Sequence, residues 1–412
     1  MNKNIKLAVA SAVLALSATA ANAGIIIPAG EWTIDINGNV NGYGTFKRNS
    51  GTLATSTIHG GVATQPTATK NDEAVLGTGL LPAWIGFTGK TRQNDLDVEF
   101  TISLQPGITA NDVSGDGAFG GTGSKFLNRQ TYLSFGDKSW GSIKIGKDLG
   151  VFASDAILND MTLLGVGSGA SSGSATNATN GGIGTGYIYA AWKGQIAYTT
   201  PNFNGFQATV ALTNPNQFNI NTIGTEVTGL ADPQDRYGVE AKAGYSFAAD
   251  AVSGKLWVSG ASYDVRSAAN SLSYTASVGD VGLNVNAGNV GVTGYYYKGE
   301  GVGTTLLGHL GVASITTGGK RDSDGGYLQA TYKIPTGTKI GVAYGVSNLD
   351  KANSSDTANV FVKENERVTV GAYHPLTKHL NLVAEYNDIE STSHTSTKAK
   401  TESVSLGAIL FF

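Results

Sequence analysis

Three aspartates, Asp148, Asp155 and Asp160, lie in a long acidic stretch of the chain, residues 148–192. No lysine or arginine occurs within this stretch, which is therefore acidic and free of bases. Carboxylates that gather beside water attract cations and repel anions. The stretch is far longer than an ordinary connection between two elements, which predicts a functional or a disordered loop.

Apolar spacing predicts a short helix inside this stretch. Ile157, Met161 and Leu164 recur at helical intervals and would form one face that packs against a neighbouring surface. The run 165–186, rich in glycine, serine and asparagine, would then be flexible return chain.

Residues that could carry catalysis or bind a metal form no recognisable constellation. The chain has no cysteine and 5 histidines, most of them in predicted loops or turns. His374 and His379 are too far apart, and in a turn, to form the helical zinc motif. We therefore expect no enzymatic activity, no cofactor and no metal site.

Alternating side chains dominate the rest of the chain and predict strands. In residues 96–104, apolar side chains alternate with Asp97, Glu99, Thr101 and Ser103, which gives a strand with one polar and one apolar face. The first predicted strand, 32–47, alternates in the same way. Sheets with one polar face inside and one apolar face outside are typical of wide membrane barrels.

The two ends of the chain point to export. Residues 1–23 contain Lys3 and Lys6, an apolar run and a small-residue cleavage site, which predicts a secretory signal peptide and a single domain at 24–412. Removing the two lysines leaves 26 basic and 31 acidic residues, a formal charge of −5. This charge disfavours nucleic acid as a partner.

We predict an all-β fold, a transmembrane antiparallel β-barrel of 16 strands. After the signal peptide no apolar run is long enough for a membrane helix, and closed barrels are the other backbone arrangement that satisfies all polar groups in lipid. Seven short turns each join the two strands of a predicted hairpin, and the first and last strands bring the total to 16; the turns are at 90–95, 136–141, 201–205, 248–254, 287–289, 335–338 and 375–379. Twelve or eighteen strands also fit, because the pairing at 270–300 is the least constrained.

Strand parity selects the charged residues that share the polar face. Lys47 lies on that face of the first strand, and Lys144 lies between outward Ile143 and Ile145. Arg236, Glu240 and Lys242 share one face of a later strand and complete the candidate wall.

The last strand ends in an aromatic residue at the end of the chain, Phe412. Its predicted outer face also carries Leu410, Leu406 and Val404, while Ser405 and Ser403 face inward. This ending resembles the last strand of bacterial outer-membrane barrels. The resemblance implies that Phe412 is a signal to the barrel assembly machinery.

Three further segments carry a resemblance to the trimeric general porins of Gram-negative bacteria. They are YLSFGDKSWGSIKIGKDLG (132–150), GQIAYTTPNFNGFQATVAL (194–212) and VGAYHPLTKHLNLVAEYN (370–387). Lys147 stands where an Arg is usual in that family, and the family's common Pro-Glu-Phe-Gly stretch is absent from the long loop.

The resemblance implies a fold and a function. The long loop would fold into the lumen as a constriction that carries Asp148, Asp155 and Asp160, opposite a basic wall. The chain would be an outer-membrane homotrimer, in contact with lipid and lipopolysaccharide. It would pass ions and small hydrophilic solutes by passive diffusion, with a mild preference for cations.

Two other functions fit the same composition. A barrel specific for a sugar or an anion would need an aromatic or basic track along its lumen. A secreted, non-channel surface adhesin would show a repeating period, which we do not find, and would not need a lipid-facing strand at Phe412.

Overall fold

The computed structural model describes residues 24–53, 58–68, 71–108, 126–170, 178–215, 234–267, 272–308, 311–313, 319–356 and 361–412. The predicted signal peptide lies outside these residues. The described chain forms antiparallel strands: β1 Ile25–Ala29, β2 Trp32–Gly51, β3 Asp72–Gly77, β4 Trp84–Gln93, β5 Leu96–Gln105, β6 Leu127–Asp137, β7 Gly141–Leu149, β8 Trp192–Thr199, β9 Phe206–Thr213, β10 Gly238–Ala249, β11 Val252–Ser267, β12 Leu272–Ala287, β13 Val290–Glu300, β14 Asp322–Lys333, β15 Lys339–Leu349, β16 Val362–Pro375, β17 Leu380–Ser393 and β18 Lys398–Phe411.

The strands close into one barrel, because β18 pairs with β2 and every later strand pairs with its sequence neighbour. β3 and β4 pair with two successive parts of β2 and therefore share one position in the wall. β1 pairs with β2 beyond the point where β18 ends. The wall thus has the predicted 16 positions, and each of the seven predicted turns joins two of its strands. The extra strand β1 was not predicted.

The backbone of Phe412 closes the seam. Its N–H donates to the Gly38 carbonyl at 3.0 Å, and its carbonyl accepts from the Gly38 N–H at 2.8 Å. A side chain at Gly38 would have its Cβ 2.2 Å from the Trp84 carbonyl oxygen, so only glycine fits between these strands.

The two faces of the barrel differ as alternation predicts. Outward residues such as Val40, Phe46 and Leu406 are apolar and exposed, whereas inward Asn41 and Ser405 are polar and buried. Apolar residues outside and polar residues inside suit a barrel with lipid around it and water within it. Among the described residues, no helix has both the length and the apolar character required to cross a membrane.

Candidate functional site

The acidic stretch forms a loop, residues 150–191, between β7 and β8. It contains helix α1 (Ser154–Leu158) and then a 3-10 helix (Met161–Leu164). Ile157 and Met161 of the predicted apolar face are both buried. The helical spacing in the sequence therefore corresponds to two short helical turns.

Aromatic side chains seat this loop against the inner faces of β11–β14. One continuous buried cluster contains Phe152, Ile157, Tyr187 and Ile188 of the loop and Trp257, Tyr263, Tyr295, Tyr297 and Tyr327 of the wall. The Tyr187 and Tyr327 rings meet edge to face at 5.7 Å, and Tyr295 stacks on Tyr327 at 5.5 Å. Buried aromatic contacts of this kind stabilise strongly, so the loop is fixed inside the barrel.

Glu240 anchors the start of the loop. Its carboxylate accepts from the Val151 N–H at 2.7 Å and the Phe152 N–H at 3.0 Å. It also pairs with Lys193 at 2.6 Å and accepts from the Tyr263 hydroxyl at 2.7 Å. Both side chains of the Lys193–Glu240 pair are fully buried. Glu240 thus faces inward as strand parity predicts, but it lies beneath the loop and is shielded from water.

Glu385 of β17 anchors the middle of the loop in the same way. It accepts from the Val166 N–H at 2.9 Å, the Gly167 N–H at 2.8 Å and the Tyr373 hydroxyl at 2.7 Å. Arg367 of β16 donates to the Thr185 hydroxyl at 3.1 Å. Two strands of the opposite part of the wall therefore hold the loop across the lumen.

Asp155, at the start of α1, lies between two lysines of the wall. It pairs with Lys242 at 3.2 Å and with Lys255. Burial alone would raise the pKa of Asp155, but the two lysines outweigh burial and lower it. Lys242 also donates to the Ser154 hydroxyl at 2.8 Å. Asp155 and Lys242, both predicted as site residues, are thus in contact, and Lys255 is a second cation beside the same carboxylate.

Asp160 instead holds the loop together. Its carboxylate accepts from the Thr162 N–H at 2.9 Å, as a cap of the 3-10 helix, and from the Gly182 N–H at 2.9 Å. It also accepts from the Tyr187 hydroxyl at 2.8 Å. Burial, followed by the charge of Asp160, raises the pKa of Tyr187 well above its usual value, so this tyrosine stays a donor.

Asp148 belongs to strand β7, whereas the sequence analysis expected it in the loop. It pairs with Lys144, four residues earlier on the same strand, and it accepts from the Gln130 amide at 3.1 Å. The Lys144 ammonium lies 4.6 Å from the centre of the Tyr132 ring. The predicted acid of the loop and the predicted base of the wall therefore lie side by side on the wall.

The remaining two wall candidates have different surroundings. Lys47 is buried, pairs with Glu73 at 2.9 Å and donates to the Ala170 carbonyl at 2.8 Å. Arg236 precedes β10, is 63% exposed and pairs with Asp264 at 2.8 Å. The structure brings Lys47 to the loop but leaves Arg236 at the rim.

Sequence analysis missed four residues that contact the loop: Lys193, Lys255, Arg367 and Glu385. Strand parity carried a signal for two of them, because Arg367 alternates with Val368 and Glu385 alternates with Tyr386. For Lys255 strand alternation alone gives no clear signal, because the aromatic Trp257 shares its face.

Comparisons with known proteins agree with this architecture. A family model described as Gram-negative porin matches residues 10–394. Among curated proteins, no sequence matches the chain significantly.

Solved porin and channel structures share the fold at low sequence identity. The outer-membrane channel DcaP of Acinetobacter baumannii is 17% identical, with a TM-score of 0.67 over 95% of this chain and 100% of that one. The anion-selective porin from Comamonas acidovorans is 14% identical, with a TM-score of 0.60 over 93% and 100%. A trimer form of OmpT, an outer-membrane protein of Vibrio cholerae, is 12% identical, with a TM-score of 0.53 over 92% and 99%. The chain belongs to the Gram-negative porin family, outer-membrane channels whose β-strands cross the membrane many times.

Proposed function

We propose that this porin forms a water-filled pore for the passive diffusion of ions and small hydrophilic solutes, with no catalytic step. The observation that carries this function is the charged and accessible inner face of β4–β7. Its side chains include Lys90, Glu99, Tyr132 and Lys144, while the outer face of the same strands is apolar. Such a surface favours hydrated solutes over lipid.

We also propose a mild cation preference. The loop contributes the carboxylate of Asp155 and no base, and the chain without its predicted signal peptide has a formal charge of −5. The preference is mild because Lys242 and Lys255 compensate Asp155. The reversal potential of purified protein in a planar bilayer, under a salt gradient, tests this ion preference. A reversal potential on the anion side would show that the lysines dominate.

Export and assembly complete the proposed function. Residues 1–23 would direct the chain across the inner membrane, and Phe412 would be recognised by the barrel assembly machinery. The exposed apolar belt would contact lipid and lipopolysaccharide, and three copies would associate, as in the trimer form of OmpT. Chemical crosslinking of the protein in outer membranes tests the trimer, and a monomer alone would exclude it.

A further inference from the structure

Two other inward segments contact the loop 150–191. In residues 58–68, the Val62 and Ala63 N–H groups each donate to the Ser391 hydroxyl at 2.9 Å, and the Thr64 N–H donates to the Thr401 hydroxyl at 2.9 Å. Ser391 and Thr401 are inner-face residues of β17 and β18. This segment therefore lies inside the barrel along those strands.

Residues 302–308 and 311–313, between β13 and β14, form the other segment. The Tyr189 N–H of the loop donates to the Thr305 carbonyl at 2.9 Å. Val302, Leu307 and Val312 belong to the same buried cluster as the loop aromatics. The second segment thus extends the surface that covers the wall.

The three segments meet at Gly184, whose φ is +77°. A Cβ at this position would lie 2.9 Å from both Val62 Cγ2 and Thr305 Oγ1. Glycine therefore permits both the left-handed backbone and the close contact of the three segments. We refer to the described parts of residues 58–68, 150–191 and 302–313 together as the plug.

The plug divides the inner wall into two sectors. On β16 and β17, the inward charged residues Arg367 and Glu385 are each 3% exposed, and the inward Thr293 and Thr369 are at most 1% exposed. On β4 and β7, the side chains of Lys90 and Lys144 are 59% and 35% exposed. A polar depression of about 450 Å³ lies at the short-turn end of the second sector, and its lining includes Asp97, Ser134 and Asp137.

On the basis of the channel function proposed above, we propose that the plug closes the sector β11–β18 and confines solutes to the inner face of β4–β7. The charged groups that a solute meets there are Lys90, Glu99 and Lys144. The buried pair Lys193–Glu240 and the buried Arg367 and Glu385 lie outside the path. The path is thus off-centre, and its selectivity depends on these four strands and on Asp155 with the partly exposed Lys242 and Lys255 at its border.

Cysteine accessibility tests this sector directly, because the chain has no cysteine of its own. Ser134→Cys reports on the open sector, and Thr293→Cys reports on the plugged sector at a similar distance from the short turns. A charged, water-soluble thiosulfonate is applied to the folded protein, and the added mass is measured. We expect modification of Ser134→Cys, together with smaller conductance steps, and no modification of Thr293→Cys until the protein is denatured.

Thr369→Cys is a second plugged-sector variant in case Thr293→Cys does not fold. Equal modification rates in the two sectors would refute the proposal that the plug closes one of them. An unreactive Ser134→Cys would also refute it. Because the added mass is measured without current, a silent channel with sector-specific labelling would refute the proposed pore but retain the plug.

Discussion

Asp155 and Asp160 lie in the same loop, but their carboxylates have different partners. Asp155 faces two lysines of the wall, whereas Asp160 is enclosed by donors of its own loop and by Tyr187. Asp155 can influence permeating ions because Lys242 and Lys255 beside it are partly exposed, while the enclosed Asp160 chiefly affects stability. Their side-chain environments therefore predict separate effects on selectivity and on folding.

Asp155→Asn should reduce the cation preference. Removing this charge leaves Lys242 and Lys255 uncompensated, and a unit charge about 8 Å away in water contributes about 0.5 kcal/mol, or about a two-fold change in relative ion permeability. Reversal potentials under a salt gradient measure the change. Asp160→Asn is the matched control: it should leave the reversal potential nearly unchanged and lower stability by about 1–3 kcal/mol, because it disturbs buried hydrogen bonds. Unchanged potentials in Asp155→Asn would refute its role at the constriction.

The lowered pKa of Asp155 predicts how this effect depends on pH. Because the folded pKa lies below the ordinary value of about 3.9, the charge and its stabilising contribution are fully present above about pH 4. Both are lost only as the pH falls through the lowered folded pKa. The difference in reversal potential between the native protein and Asp155→Asn should therefore persist from about pH 7 to about pH 4.5. A difference that disappears near pH 5 would contradict the lowering of the Asp155 pKa by Lys242 and Lys255.

At the scale of elements, the buried pair Lys193–Glu240 joins β8 and β10 to the start of the loop. Lys193→Met should destabilise the barrel by about 3–5 kcal/mol, because it leaves Glu240 charged and buried without its cation. Urea unfolding in detergent measures this loss. The double variant Lys193→Met/Glu240→Gln should recover part of it, because a neutral amide oxygen still accepts from the Val151 and Phe152 N–H groups. A single variant that costs less than about 1 kcal/mol would exclude an anchoring role for the pair.

The seam between β18 and β2 depends on the last residue of the chain. Deleting Phe412 removes two backbone hydrogen bonds to Gly38 and the terminal aromatic ring, so we expect less protein in the outer membrane. Phe412→Leu keeps the backbone pairing and removes only the ring. Immunoblots of outer-membrane fractions compare the two variants. Normal levels after the deletion would contradict an assembly role for Phe412. If only the deletion lowers the level, the backbone pairing at the seam is required and the aromatic ring is not.

At the scale of the whole molecule, sequence patterns predict the barrel well because strand and turn signals are local. The alternation at 96–104 matches β5, and the predicted turn at 90–95 contains the connection between β4 and β5, although β4 continues to Gln93. The position of Asp148 was wrong because a continuing strand and a beginning loop have the same polar composition there.

The contacts of the loop could not be predicted, because their partners are far apart in the chain. Asp155 and Lys255 are 100 positions apart, and no local pattern connects them. Trp257 and Tyr263 face inward although period-2 reasoning usually assigns aromatics of a membrane barrel to lipid. They are inside because the loop supplies an apolar surface there, and that surface exists only in the folded barrel.

The single-channel conductance of the purified protein in a planar bilayer, recorded with a salt gradient, tests the central claim most directly. A water-filled path along β4–β7 predicts large ohmic steps and a reversal potential slightly on the cation side. Absence of conductance steps in a preparation that spectroscopy shows to be folded would contradict an open diffusion pore. It would favour a fully closed or solute-specific barrel.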